Sequence, residues 1–220
     1  MDWNAIAKLS QEAFREAVNE WIGKARIQGG QVQAAEAILT PGSLKSDVPL
    51  DALMLQKLSR SQVPAPVARA IATVLAAAWN DWAAGFQIRL PGAYPSFVAV
   101  PGPVAPPTPA AVRVSLARGS SSGEMSLKTP LLAGKLASSL KTHAAAIKAG
   151  SPDPAMTSLA RWVDTSFQEW KGIVTFGGSV GKGPVPTFAP PYVPVGPVIM
   201  GDNLSAGPVF VGPRFGKLTL

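Results

Sequence analysis

Apolar residues recur at three- and four-residue spacing from the start of the chain. Ile6, Leu9, Ala13, Phe14, Ala17, Val18 and Trp21 fall on one face of a helix expected from about Trp3 to Ala25. A second helix is expected from about Leu50 to Ser61, opened by Asp47 or the turn at Pro49. A third runs from about Pro66 to Ala84, with proline admissible in its first turn. A fourth spans about Leu131 to Ala149 and stops at Gly150. A fifth runs from about Asp153 to Lys171 behind the opening Ser151-Pro152-Asp153-Pro154. Alternation at Val112 to Leu116 predicts a strand, and Phe86 to Leu90 and Ile173 to Phe176 are short β-prone runs. The six tryptophans sit at helical spacing, Trp79 with Trp82 and Trp162 with Trp170, which suits core anchors better than a ligand-stacking platform.

Two stretches repeat one order of features. In residues 79–107 and 167–197 an aromatic stands three positions before a tryptophan (Trp79 and Trp82, Phe167 and Trp170). A glycine follows, then a β-prone run and a glycine turn. Next comes Pro95-Ser96-Phe97 or Pro186-Thr187-Phe188, and each stretch closes on Gly-Pro-Val at Gly102 and Gly196. Leu53, Lys57 and Leu58 echo Leu131, Lys135 and Leu136 upstream. A fragment of a third copy opens the chain, where Glu20, Trp21 and Gly23 match Glu169, Trp170 and Gly172. The expected class is therefore α+β, helical hairpins with short strands and long proline-rich extended arms, carrying an internal duplication. The divisions are an N-terminal helix and connector (1–48), a first half with its arm (49–118), a flexible Ser/Gly linker (119–128) and a second half with its arm (129–220).

Composition accounts for the arms. Twenty-two prolines and 21 glycines in 220 residues exceed the usual share of roughly 12% for the pair, while 47% hydrophobic residues suffice for a packed core. Residues 95–109 and 185–200 cannot form central strands, since proline lacks the ladder donor. They nevertheless carry Phe97, Val98, Val100, Phe188, Tyr192, Val193 and Val195, apolar groups suited to docking on a neighbouring chain or on the opposite half.

Little catalytic chemistry is legible. With no cysteine, disulfides, thiolate ligands and cysteine nucleophiles are excluded, and the single His143 cannot build a multi-histidine metal site. The run Gly119 to Gly123 fits G-x-S-x-G, but His143 follows too closely and precedes Asp153 and Asp164, against the order of such hydrolases. Gly177 to Gly183 fails the phosphate-loop pattern at Phe176 and Gly183 and reads as a glycine-rich turn. Ser138 to Lys141 matches S-x-x-K without its companion motifs, and the acids form no spaced metal cluster. No enzyme, cofactor or metal is expected.

The opening residues carry no apolar signal-peptide core, and the most apolar run, Ala70 to Trp79, is shorter than the roughly 20 residues of a membrane span. A formal charge of +7 permits contact with nucleic acid or anionic surfaces, yet the basic residues are scattered singly, so that partner class is the alternative and not the first choice. Finally, VPTFAPPYVPVGPVIMGDN and YPSFVAVPGPVAPP, in a cysteine-free, Ala/Gly/Pro-rich chain of helical hairpins, resemble small virion structural proteins of contractile-tailed bacteriophages. The resemblance covers mainly residues 79–110 and 167–203 and assigns no functional residue. It implies a structural subunit in the neck, tail, baseplate or capsid surface, made in the host cytoplasm and carried in the virion. Its partners would be copies of itself and other virion proteins, with no membrane involved.

Overall fold

The computed structural model describes residues 1–33, 36–91, 98–99, 104–109, 112–147, 150–184, 195–196, 201–205 and 207–217. The architecture is mixed α+β. Among the described residues five helices are formed: α1 (Trp3–Gly23), α2 (Leu50–Arg60), α3 (Ala65–Gly85), α4 (Thr129–Leu140) and α5 (Asp153–Ile173). The strands are β1 (Arg26–Gln33), β2 (Glu36–Leu39), β3 (Leu44–Lys45), β4 (Phe86–Pro91), β5 (Val98–Ala99), β6 (Val104–Pro109), β7 (Val114–Ser115), β8 (Ser120–Ser121), β9 (Thr175–Phe176), β10 (Ser179–Pro184), β11 (Val195–Gly196), β12 (Gly201–Ser205) and β13 (Phe210–Val211).

The helices start where their sequences dictate. Asp2 caps α1, its Oδ1 accepting from the Ala5 backbone N–H at 2.7 Å, and α3 and α5 each hold a proline in the first turn, where no intrahelical donor is needed. α4 lacks a cap from its own preceding residue and borrows one. Asp164 of α5 accepts from the Thr129 N–H and hydroxyl, each at 3.0 Å, and from Lys128 Nζ at 3.2 Å. A carboxylate placed there satisfies orphan donors and meets the positive end of the helix. Asp164→Ala is expected to cost about 1–3 kcal/mol in urea unfolding, because a half-buried cap and its ammonium partner lose their acceptor together. A loss within a few tenths of a kcal/mol would show that water replaces Asp164.

Packing closes the helices into a ring. α1 packs on α2, α2 on α3, α3 on α4, α4 on α5, and α5 returns to α1. The turn between α2 and α3 and the link between α4 and α5 lie at one end, where Trp3 Nε1 donates to the Gly150 carbonyl at 2.9 Å. At the other end α1, α3 and α5 run directly into β1, β4 and β9. The centre is aromatic. Trp79, fully buried, meets Phe14, Trp21, Trp82, Phe167, Trp170 and Phe215 at ring-centroid distances of 4.8 to 6.2 Å. The buried apolar residues form one cluster reaching from Trp3 to Phe215, so both expected halves share a single core.

All strand pairs are antiparallel. The main sheet runs β6-β10-β12-β1-β2-β4-β8, with β3 also on β1; β5 pairs β11, and β9 lies between β7 and β13. In β4 the side chains of Phe86, Ile88 and Leu90 are buried while those between are exposed, as a one-sided strand requires. Proline-laden β6 is at the sheet's end, where missing donors cost least.

Several expectations change. The fourth helix ends at Leu140, not Ala149, and a 3-10 turn follows over Lys141–Ala146. Its buried stripe of Leu132, Leu136 and Leu140 gives way to the exposed Lys141 and Thr142, where the 3-10 turn begins. The strand at 112–116 is reduced to Val114–Ser115, since a 3-10 turn begins at Leu116, with Ser115 Oγ accepting from the Ala117 N–H at 3.3 Å. The connector in 1–48 contains the β1–β2 pairing, which the hydrophobic pattern did not announce. Most directly, residues 119–128 are packed and not a free linker. Ser120–Ser121 pair with β4, Ser121 Oγ donates to the Trp82 carbonyl at 2.7 Å, and Ser126 Oγ donates to Asp81 Oδ2 at 2.8 Å. A Cβ on Gly123 would stand 2.0 Å from the Asp81 carbonyl oxygen, so glycine is required for that approach.

Candidate assembly surface

The residues expected to carry interaction stand in the sequence after β4 and after β10. Of these, Val98 and Val195 have a described backbone: the first arm's Val98–Ala99 pairs antiparallel with the second arm's Val195–Gly196, register Val195 with Ala99 and Gly196 with Val98. The first arm's β6 also pairs with β10, which precedes the second arm, register Val180 with Pro109 and Pro184 with Val104. Phe97, Val100, Phe188, Tyr192 and Val193 lie outside the described residues.

The described residues also expose apolar side chains that the sequence reading did not single out. Among the described residues the large exposed apolar side chains are Met1, Val112, Met125, Leu131, Ile173 and Val211. Apart from Met1, each stands at or near an element boundary: Val112 precedes β7, Met125 sits in the 3-10 turn Glu124–Leu127, Leu131 opens α4 and lines a groove with Val74 and Ala77 of α3, Ile173 closes α5 and Val211 lies in β13. Spacing offered no signal for them, because each stands at an element boundary and not on a stripe.

Ion pairs brace this scaffold more than they form a site. Lys171 Nζ meets Glu124 Oε2 at 2.6 Å and Gln168 Nε2 donates to Glu124 Oε1 at 3.3 Å, fixing the 3-10 turn to α5. Lys57 Nζ donates to Glu16 Oε2 at 2.7 Å between α2 and α1, and this hydrogen bond holds the Glu16 carboxyl below its ordinary range. A groove of about 870 Å³ beside that pair, lined by Arg15, Glu16, Asn19, Lys57, Arg214 and Phe215 among others, therefore presents an ionised carboxylate already paired, unsuited to act as a general acid.

The sequence's chemical candidates resolve into structural roles. Ser121 of the G-x-S-x-G run binds the Trp82 carbonyl and accepts from the Gly123 N–H at 3.1 Å, and no hydrogen bond among the described residues joins it to half-buried His143. Gly177 and Gly178, the latter at φ +75°, lead into β10, so the glycine-rich run is a bend followed by a sheet strand. In the S-x-x-K segment Ser138 and Lys141 are exposed and Ser139 Oγ donates to the Leu136 carbonyl. Among the described residues no group of three or more His, Asp or Glu could hold a metal ion, and no helix is long and apolar enough to cross a membrane. No family model, curated protein or solved structure matches the chain.

Proposed function

We propose that the chain is a structural subunit of a phage particle, in the neck, tail, baseplate or capsid surface, that joins neighbouring virion proteins through its strand-bearing end and its proline-rich arms. It works without catalysis, is made in the host cytoplasm and ends in the virion. The observation that carries this reading is the set of large apolar side chains left exposed at element boundaries among the described residues, Val112, Met125, Leu131, Ile173 and Val211. The arm sequences add apolar groups and, being proline-rich, lose little entropy on docking.

The finer reading of the fold belongs to the same proposal: two helical hairpins, α2–α3 and α4–α5, each trailing an arm and related by duplication. Trp82 and Trp170 each stand three residues before the last residue of a helix that leads into a strand. Phe97 and Phe188, their downstream companions, lie outside the described residues.

Replacing Phe188 and Tyr192 together by alanine tests the function. Fully burying such side chains contributes about 1.5–3 kcal/mol each, so incorporation into particles is expected to weaken at least about a hundredfold. Helical circular dichroism of the purified variant should be unchanged. Normal incorporation, or helix lost in step with incorporation, would make the arm ordinary intrachain core and sink the proposal.

A further inference from the structure

Beyond the two halves, the elements fall into three groups of the same order. α1, α3 and α5 each run into a strand of their own, β1, β4 and β9. After an excursion, a two-residue strand returns to pair antiparallel with that first strand: β3 on β1 (Ile27 with Leu44), β8 on β4 (Phe86 with Ser121), β13 on β9 (Phe176 with Phe210). Of the eight strands in the main sheet the first group supplies β1, β2 and β3, the second β4, β6 and β8, and the third β10 and β12, its β9 and β13 lying in a separate sheet. Between groups the second strand of one pairs with the first of the next: β2 with β4, β6 with β10, β12 with β1. Trp21, Trp82 and Trp170 stand near the ends of the three helices and all pack on Trp79.

One departure from threefold order is in the sheet: among the described residues β4 and β6 are not paired with each other, whereas β1 pairs β2 and β10 pairs β12. Helices α2 and α4 lead the second and third groups. Phe215 packs where α5 meets α1, against Phe14 and Trp162, while Asn19 holds its backbone from both sides, accepting from its N–H at 2.9 Å and donating to its carbonyl at 3.1 Å. The C-terminal segment thus closes the five-helix ring.

From this order we infer that the chain is three diverged copies of one unit and works as a single copy on the threefold axis of a ring of other subunits, giving each of three identical neighbours an equivalent face. In a homotrimer of such units, the contacts between units would join separate chains; here β2 with β4, β6 with β10 and β12 with β1 join them within one. The surfaces that would recruit more copies of the same chain are used up, and three similar outward faces meet three identical neighbours together only when the two axes coincide. The partner is therefore a ring whose copy number is a multiple of three. This rests on the virion reading above.

Two measurements decide it. Native mass determination of the purified 220-residue chain should give the 22.8 kDa monomer; a stable trimer would place the threefold between chains and overturn the inference. Particles from the organism that encodes the chain, analysed by peptide mass spectrometry and by cryo-electron microscopy without imposed symmetry, should hold one copy on an axis with three, or a multiple of three, of a neighbour around it. Several symmetry-related copies lying off the axis would overturn the single-copy inference and leave the virion reading standing. Particles free of the chain would overturn the virion reading, and this inference with it.

Discussion

Trp79→Ala should lower the unfolding free energy by about 3–5 kcal/mol, a large fraction of the roughly 5–15 kcal/mol that holds a domain together. Trp79 is 0% exposed and is the ring on which residues of α1, α3 and α5 and the C-terminal segment converge. α1 and α5 also touch directly, but across the middle of the ring the aromatic side chains carry the contact. Its removal leaves a void bordered by six rings from several elements, and no single helix can move in to fill it without leaving its neighbours. Trp79→Phe separates volume from polarity. The indole N–H of Trp79 has no acceptor among the described residues, so phenylalanine loses some packing but removes an unpartnered buried donor. Urea unfolding followed by far-UV circular dichroism should place Trp79→Phe within about 1.5 kcal/mol of the parent. If Trp79→Ala cost less than about 1 kcal/mol, the ring would not be organised around this residue.

The helices were legible because their burial follows period: Ile6, Phe14, Val18 and Trp21 of α1, or Met156, Leu159, Val163 and Trp170 of α5, are buried as their spacing requires. The reading of the tryptophans as core anchors also matches their burial, Trp162 alone being half-exposed. What failed to show was anything set by a partner distant in sequence. β1 does not alternate, since its ladder shifts register between Gln28 and Gln31, where Gly29 and Gly30 adopt φ of +87° and +88°. Its buried Ile27 and Val32 therefore fall out of phase. The Ser/Gly run reads as a flexible linker by composition, yet its hydroxyls are spent on Asp81 and on the carbonyl of Trp82 near the end of α3. The cap of α4 comes from Asp164, 35 residues away from Thr129. As for the candidate surface, the arms were marked by proline beside aromatic residues, whereas Met125, Ile173 and Val211 carry no such signature.

Phe215→Ala is expected to cost about 3–4 kcal/mol and to release the segment from Phe210 to Lys217 before the rest of the molecule unfolds. The ring of Phe215 is fully buried, with centroids 5.8 Å from Phe14, 5.7 Å from Trp79, 6.1 Å from Trp162 and 6.2 Å from Trp170. It thus ties α1, α3 and α5 together at the place where the helical ring closes. Asn19 adds a second fixing, its amide meeting both backbone groups of Phe215. The two contributions differ in size and kind. Asn19→Ala removes two hydrogen bonds and should cost about 1–2 kcal/mol, because the freed backbone groups are half-buried and can partly rehydrate. Phe215→Ala leaves a cavity among four aromatic rings that water does not favour. Hydrogen exchange read by mass spectrometry should show residues 210–217 losing protection in both variants, and the facing stretch of α1 around Phe14 losing it in Phe215→Ala alone. Equal effects of the two variants on α1 would mean that the backbone clamp, and not the ring, closes the bundle.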